Sequence, residues 1–241
     1  MKKSFLAACL LSITTAIPHQ IRNEACTITH QPGFNSNPAT HQLISGNLTR
    51  TYAVNVPESY NDNLGKAWPM IIDYHGNLGN PEDQYRNSEY YKYPQGQEYL
   101  VIYPLGVEKH WQGPTYALPT VNDLLFTVDL LTHLQSTYCI DPLRIYASGK
   151  SNGAGFVNLL ACSPQGDFFA AFAMAAAALY TDTSLTSCMP TTNKRRKILE
   201  AHGLQDATIP YHPTAPGSGG PLPDIGEWVG WWGGEELWEK Y

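Results

Sequence analysis

The sequence predicts an α/β fold, with a mostly parallel, doubly wound sheet and helices on both of its faces. Three observations lead to this prediction. Short, continuously apolar runs of strand length recur along the chain, helical segments lie between them, and no internal repeat or domain linker interrupts the order. The 241 residues, of which 43% are hydrophobic, are also enough for one sizeable core.

The N-terminal residues predict a secretory signal rather than a part of the fold. Two lysines precede an apolar run at residues 5–13, and small residues at 14–16 form a cleavage site. We therefore assign residues 1–18 to a signal peptide and residues 19–241 to one secreted, extracellular domain; a buried N-terminal helix or strand is the alternative. In a secreted chain, the tripeptide that begins at Asn47 is a glycosylation acceptor.

The strands are predicted from two kinds of pattern. The segment "TYAVNVP" alternates between apolar and polar residues, as an edge or half-buried strand does. Five other runs are continuously apolar, which is typical of parallel strands covered by helices on both faces. In order, the predicted strands are 51–57, 68–74, 99–104, 143–148, 170–176 and 197–202.

Two helices are predicted between these strands. Residues 122–138 carry one apolar stripe, and Asn122 or Asp123 can cap the first turn. Residues 151–163 predict a second helix that follows a strand directly. The order of strand, helix and strand is the reason for expecting a doubly wound sheet.

Composition excludes several classes of partner. The net charge of −6 and the pI of about 5.7 argue against a nucleic-acid partner. After the signal, no segment reaches about 18 uninterrupted apolar residues, so no membrane partner is expected. No C-x-x-C pair is present, so a zinc site is not predicted. We expect a monomer.

Four cysteines remain once the signal is removed, which predicts two disulfides with three possible connectivities. A helix that follows a strand runs antiparallel to it, so the end of the second helix should lie near the beginning of the preceding strand. This argument predicts a Cys139–Cys162 bridge. Cys26–Cys188 is then the remaining pair.

The pattern G-x-S-x-G occurs at Gly149, Ser151 and Gly153, between a predicted strand and a predicted helix. A nucleophilic serine in an α/β enzyme needs such a sharp strand-to-helix turn, because the turn lifts the hydroxyl out of the sheet. Flanking glycines relieve the steric clash in that turn. Ser151 is therefore the candidate nucleophile; the alternative is a glycine-rich turn with a capping serine.

A nucleophilic serine also needs donors for an oxyanion and an acid. One donor would be the backbone N–H of Asn152, and the other would come from the loop His75-Gly76-Asn77, which follows an early strand. Asp206, which follows the last predicted strand, is the candidate acid that orients a histidine. The alternative for Asp206 is a turn-forming aspartate.

Several longer motifs stand in the order found in one known group of enzymes. They are "RTYAVNVPESY", "DYHGN", W-x-G-P-x-Y, "YCIDPLRIYASGKSNGAGFVNLLAC", "AAALY", "EAHGLQDATIPY" and "PLPDIGEW". Over residues 45–232 the chain resembles the secreted fungal feruloyl esterases, relatives of the bacterial polyhydroxybutyrate depolymerase-type esterases.

This resemblance implies an α/β-hydrolase fold that uses no cofactor. It also implies hydrolysis of ester bonds between ferulate and plant cell-wall arabinoxylan, or of small phenolic esters. Ser151 matches the nucleophile of the family, and Asp206 matches its acid.

The resemblance leaves the catalytic base in question. After Asp206 the only histidine is His212, whereas the family places its base in a later Gly-His loop after a final strand. Either the C-terminus is truncated, without the last strand and helix, or His212 has taken over the role; a surface-loop histidine is the alternative for His212. His202 precedes Asp206 and is expected to be structural. Without a base, we expect weak or absent activity.

Two other functions remain open from the sequence. The tryptophans of the last third could stack on sugar rings, which would make the chain a non-catalytic carbohydrate-binding pseudoenzyme. Packing of helices and loops explains such tryptophans more often than ligand stacking does. These residues are Trp228, Trp231, Trp232 and Trp238. An esterase for acetylxylan or polyhydroxyalkanoate is the other alternative.

Overall fold

The computed structural model describes residues 24–181 and 195–233, so the predicted signal peptide lies outside the described residues. Within these ranges the chain forms eight strands and four α-helices. The strands are β1 (Gly33–Asn35), β2 (Gln42–Ser45), β3 (Leu48–Val56), β4 (Trp68–Tyr74), β5 (Leu100–Pro104), β6 (Ile140–Lys150), β7 (Ala171–Ala175) and β8 (Ile198–Ala201). The helices are α1 (Pro81–Ser88), α2 (Asp123–Thr137), α3 (Asn152–Cys162) and α4 (Ile225–Gly233).

The strands form one mixed sheet in the order β1-β3-β5-β4-β6-β7-β8, and β2 pairs with β3. Five neighbouring strands, β5, β4, β6, β7 and β8, run parallel to one another. Strand β3 is antiparallel to its neighbours. All six predicted strands are present at the predicted places. The predicted doubly wound, mostly parallel sheet is therefore confirmed.

Side chains of alternate residues in β4 enter two separate cores, one on each face of the sheet. Met70 packs in a core with Phe126 of α2 and Phe156 of α3. Ile71 belongs to the core on the other face, against which Tyr85 of α1 packs. Every residue of β4 is buried, which explains its continuously apolar sequence.

Both predicted helices are present, and α1 and α4 were not predicted. In α2 the side chain of Asn122 accepts a hydrogen bond from the N–H of Leu125 at 2.9 Å, so Asn122 is the cap. Helix α1 begins with the same device, because the Asn80 side chain accepts from the N–H of Asp83 at 2.8 Å. Pro81 occupies its first turn, so the signals for a helix start were present in the sequence.

The predicted disulfide pairing is wrong, because Cys26 is bonded to Cys139 with their Cα atoms 4.3 Å apart. Strand β6 and helix α3 both contain 11 residues. A strand rises about 3.3 Å per residue and a helix only about 1.5 Å, so α3 reaches only about halfway back along β6. Because Cys26 and Cys139 are bonded to each other, the predicted Cys139–Cys162 and Cys26–Cys188 bridges are both excluded. Cys162 is also disulfide-bonded, and the cysteine at position 188 lies outside the described residues.

Asn47 lies in the two-residue turn that joins β2 to β3. Gly46 and Asn47 have φ angles of 56° and 66°, as both central residues of a type I′ hairpin turn require. Asn47 is exposed, so the predicted acceptor is accessible to modification.

Candidate active site

Ser151 forms the turn between β6 and α3 in a backbone conformation that serine rarely adopts, with φ 53° and ψ −119°. Such a conformation costs about 1–3 kcal/mol and persists only where the surroundings hold it. Three backbone hydrogen bonds do so here. Ser151 donates to the carbonyl of Ala175 at 2.9 Å and accepts from the N–H groups of Gly155 and Ala178 at 2.9 and 3.1 Å.

The glycines of the G-x-S-x-G pattern are required by close backbone approaches. A Cβ on Gly153 would lie 2.2 Å from the carbonyl oxygen of Tyr74, and a Cβ on Gly149 would lie 2.7 Å from the carbonyl carbon of Gly153. Both distances are well inside contact distance. The turn that presents Ser151 can therefore form only with glycine at these two positions.

The loop that follows β4 borders Ser151 directly. Strands β4 and β6 are parallel neighbours with Tyr74 opposite Gly149, so the two strands end together. A Cβ on Gly76 would lie 3.5 Å from the Cβ of Ser151. The loop His75-Gly76-Asn77 thus lies beside the candidate nucleophile, where a second oxyanion donor is needed.

Asn152 is the first residue of α3, where backbone N–H groups have no intrahelical partner. Its buried side chain is fixed by Trp111. Its Oδ1 accepts from the N–H of Trp111 at 2.9 Å, and its Nδ2 donates to the carbonyl of Trp111 at 3.2 Å. The indole Nε1 of Trp111 in turn donates to the carbonyl of His75 at 2.9 Å. One tryptophan therefore ties both candidate oxyanion segments together.

The buried ion pair of Arg50 and Asp123 anchors Gln112, the residue after Trp111. The N–H of Gln112 donates to Asp123 Oδ2 at 2.8 Å, and Asp123 Oδ1 lies 2.7 Å from Arg50 Nη2. The two charged side chains are only 3% and 1% exposed. Sequence reasoning missed this support, although Trp111 begins the W-x-G-P-x-Y motif.

His75 is not available as a general base. Its Nε2 accepts a hydrogen bond from the N–H of Gly106 at 3.1 Å, and its Nδ1 lies 2.7 Å from the carbonyl oxygen of Gly76. Burial lowers the pKa of His75 to about 4, so the imidazole is neutral and its lone pair is occupied. Its place beside Ser151 is consistent with a role in holding the oxyanion loop.

Asp206 lies in the loop after β8, two strands away from β6 in the sheet. Its Oδ1 accepts from the N–H groups of Ile209 and Thr208 at 2.9 and 2.8 Å. The hydrogen bonds from Ile209 and Thr208 lower the pKa of Asp206, so the carboxylate is ionised. Strands β6, β7 and β8 run parallel, so the loop that carries Asp206 and the turn that carries Ser151 lie at the same edge of the sheet. One strand, β7, lies between them, and neighbouring parallel strands are about 4.8 Å apart.

His202 is structural, as the sequence suggested. Its side chain is only 1% exposed, and both ring nitrogens have partners. Nδ1 lies 2.9 Å from Glu200 Oε1, and Nε2 lies 2.7 Å from the carbonyl oxygen of Ile209. Asp206 Oδ2 is 4.0 Å from Nε2, beyond hydrogen-bond length.

His212 is paired with a carboxylate other than Asp206. Its side chain is 72% exposed, and its Nδ1 lies 2.5 Å from Oδ2 of Asp224. The hydrogen bond from His212 lowers the pKa of Asp224, and the other oxygen of Asp224 caps α4 by accepting from the N–H of Glu227. Within residues 24–181 and 195–233, no histidine is hydrogen-bonded to Ser151.

The two sides of Ser151 differ in polarity. On the β4 side lies a polar cleft of about 320 Å³, lined in part by Gly76, Gln84 and Lys150. On the β7 side lies an apolar cluster, and the N–H of its Ala178 donates to the Ser151 carbonyl. The cluster consists of Ala178, Tyr180 and Ile209, with Tyr116 and Leu222 packed against them.

The tryptophans considered for sugar stacking contribute to the core instead. Trp228 is 1% exposed, and Trp231 and Trp232 are partly buried against the main core. Trp238 lies outside the described residues. Packing therefore accounts for the three tryptophans that the structure describes.

Comparison with known proteins identifies sequence relatives among fungal esterases. The chain is 29% identical to feruloyl esterase B of Piromyces equi over 61% of the chain, and 24% identical to feruloyl esterase B of Talaromyces funiculosus over 86%. It is 23% identical over 76% of the chain to a probable feruloyl esterase C of Aspergillus niger. The matches span 28%, 57% and 64% of the lengths of these relatives. No family model matches the chain.

Two solved structures support the fold. An S-formylglutathione hydrolase from Staphylococcus aureus matches with a TM-score of 0.56 and 15% identity, over 74% of this chain and 82% of that one. An acetyl xylan esterase from Aspergillus awamori matches with a TM-score of 0.52 and 19% identity, over 68% and 71%. The chain therefore has an α/β-hydrolase fold and is similar in sequence to feruloyl esterases.

Proposed function

We propose that this chain is a serine carboxylic-ester hydrolase of the feruloyl esterase type, with Ser151 as its nucleophile. The observation that carries the proposal is the strained backbone of Ser151, which three hydrogen bonds hold between two obligatory glycines. Strain of this kind is found where a side chain must be presented for chemistry. Sequence similarity to three proteins named as feruloyl esterases or probable feruloyl esterases supports the same reaction.

In the proposed reaction, the hydroxyl oxygen of Ser151 attacks the ester carbonyl and loses its proton to a base. The negative charge that develops on the carbonyl oxygen is stabilised by the N–H of Asn152 and by an N–H of the 75–77 loop. The bond to the alcohol breaks, the alcohol takes up the proton, and an acyl-enzyme remains. Water then attacks the acyl-enzyme, which releases the carboxylic acid and restores Ser151.

The expected rate of ester hydrolysis is limited by the general base that must take the proton of Ser151. Asp206 is ionised and has one carboxylate oxygen beyond its backbone hydrogen bonds, as an orienting acid requires, but none of the described histidines meets Ser151. The exposed His212 is the candidate that remains downstream of Asp206. A triad that lacks its base retains only the catalysis of its oxyanion hole and of substrate binding, so we propose slow turnover for this chain.

Ferulate esterified to arabinoxylan is the proposed natural substrate, by similarity to the named relatives. We also propose that the chain is secreted and glycosylated at the exposed Asn47, in keeping with the N-terminal signal. None of the helices within residues 24–181 and 195–233 is both long and apolar enough to cross a bilayer.

Hydrolysis of methyl ferulate and of p-nitrophenyl acetate tests the proposal, with a Ser151→Ala variant as the control. We expect slow hydrolysis of methyl ferulate that is lost in Ser151→Ala, together with an acyl adduct on the wild-type protein in intact-mass spectra. Hydrolysis that persists in Ser151→Ala would contradict the proposal. A marked preference for the acetyl ester would identify an acetyl esterase instead.

A second variant tests the base. If His212 takes the proton of Ser151, His212→Asn abolishes the remaining turnover. The control His133→Asn, at a residue of α2 whose Nε2 lies 3.0 Å from the hydroxyl of Tyr52, does not. Equal activity of His212→Asn and the wild type would exclude His212 from the reaction.

A further inference from the structure

Leu78 has a backbone conformation that leucine rarely adopts. Its φ angle is 59°, in the left-handed region, where the Cβ of any residue other than glycine crowds the backbone. Leu78 stands third in a four-residue turn, since the N–H of Gly79 donates to the carbonyl of Gly76 at 3.0 Å. A turn with a positive φ at its third residue is normally built with glycine or asparagine there. The leucine therefore makes this turn less stable than either of those residues would.

The surroundings of the turn hold it in this conformation. The N–H of Leu78 donates to the carbonyl of Lys109 at 3.0 Å, and Oδ1 of Asn77 lies 2.6 Å from Nδ1 of His110. Neither contact involves the side chain of Leu78, so both would form with a different side chain at this position. They explain how the conformation persists, and the choice of leucine needs another reason.

Packing inside the protein does not supply that reason. Leu78 is 63% exposed, and in the described part of the chain it belongs to none of the apolar clusters. A single exposed apolar residue is ordinary at a protein surface. Among the described non-glycine residues with a positive φ, however, Leu78 alone carries a large apolar side chain. Backbone strain combined with an exposed apolar side chain is typical of a functional position.

The side chain of Leu78 lines the cleft beside Ser151. Of the described residues that line this cleft, Leu78 has the one aliphatic side chain, and the charged Lys150 is among the others. A Cβ on Gly76 would lie 3.5 Å from the Cβ of Ser151, and two residues of chain span at most about 7 Å. A group of an ester that reacts with Ser151 is therefore within reach of Leu78.

We propose that Leu78 is a specificity-determining residue that contacts an apolar group of the ester bound at Ser151. An aliphatic side chain is stabilised by covering hydrocarbon, whereas Lys150 and the ion pair of Arg86 with Asp83 keep the rest of the lining polar. Two parts of an ester can bring hydrocarbon, the acyl group and the alcohol, and the kinetic test below distinguishes them. The inference rests on the proposed function, because it concerns the substrate of that reaction.

The first test measures folding stability. Leu78→Asn removes the apolar side chain and suits a positive φ, so it should raise the thermal midpoint by about 2–4 °C. Leu143→Asn is the matched control, because Leu143 is 82% exposed and has no positive φ; it should not raise the midpoint. An unchanged or lower midpoint in Leu78→Asn would show that packing holds the leucine, and it would overturn the inference.

The second test compares kcat/KM within two pairs of esters. From p-nitrophenyl acetate to p-nitrophenyl butyrate only the acyl chain grows, and from methyl ferulate to butyl ferulate only the alcohol grows. If Leu78 covers about half of each added methylene, the wild type should prefer the longer member of one pair by at least about fourfold. Leu78→Asn should abolish this preference, whereas Leu78→Met and Leu143→Asn should retain it. The affected pair identifies the part of the ester, and unchanged preferences in both pairs would overturn the inference.

A binding measurement separates this inference from the proposed function. In saturation-transfer NMR, the aromatic or the butyl protons of butyl ferulate should contact Ser151→Ala, and they should lose this contact in Ser151→Ala/Leu78→Asn. Absence of contact, or equal contact in both proteins, would refute the role of Leu78. Loss of contact in the double variant, with no ester hydrolysed by the wild type, would refute the proposed function and leave the role of Leu78 standing.

Discussion

Replacing Asp73 with asparagine tests the electrostatics beneath the polar cleft through the pH dependence of folding stability. Asp73 is 2% exposed; its Oδ1 accepts from Ser148 at 2.7 Å and its Oδ2 from Gln84 at 3.0 Å. Burial nevertheless outweighs these hydrogen bonds and raises the pKa of Asp73 from 3.8 to about 6. The folded protein therefore holds a proton there that the unfolded chain has already released.

The direction of the effect follows from which state binds the proton. The stabilising contribution of the protonated carboxyl is fully present below the unfolded pKa of 3.8 and is lost as the pH rises through about 6. A difference of about 2 between the pKa values corresponds to about 3 kcal/mol. His75 acts in the opposite direction over nearly the same range, since burial lowers its pKa to about 4. Burial also lowers the pKa values of His30, His41 and His133, so the pH profile of the wild type alone does not report on Asp73.

The difference between two proteins isolates the contribution of Asp73. Urea unfolding of the wild type and Asp73→Asn is measured at a series of pH values from about 4 to about 7. The free energy of unfolding of the wild type minus that of the variant should fall by about 2 kcal/mol across this range, because at pH 4 the unfolded carboxyl has already lost most of its protons. A wild-type advantage that stays constant, or grows with pH, would refute the burial argument.

Three further substitutions test the supports of the site. Gly153→Ala, which brings a Cβ within 2.2 Å of the Tyr74 carbonyl oxygen, should lower stability by about 1–3 kcal/mol or more and abolish acylation; normal acylation would contradict the steric argument. Asp123→Asn should cost about 3–5 kcal/mol in urea unfolding because it leaves the buried guanidinium unpaired, whereas Asp141→Asn at an exposed pair should cost about 1 kcal/mol or less. Cys26→Ser should cost about 2–5 kcal/mol, because the bridge closes a sequence separation of 113; an unchanged thermal midpoint would contradict this.

Much of the fold could be predicted because its signals are local. Apolar runs of strand length and the stripe of α2 depend on residues within a few positions of one another, and the structure has these elements where they were predicted. The turn at Ser151 was equally accessible, because the two glycines that make it sterically possible stand beside it in the sequence. Helix α1 had a usable signal as well, in its Asn80 cap and Pro81, and it supplies one wall of the polar cleft.

The sequence by itself determined the fold class, the order of the parallel strands along the chain, and the residue presented by the strand-to-helix turn. Only the tertiary structure decided which cysteines pair, because that depends on the different lengths of a strand and a helix with equal numbers of residues. It likewise paired His212 with Asp224 rather than Asp206, and it set a polar cleft and an apolar cluster on opposite sides of Ser151. Each of these contacts joins residues from separate elements, whose distances depend on how the sheet and helices pack, and no local pattern encodes those distances.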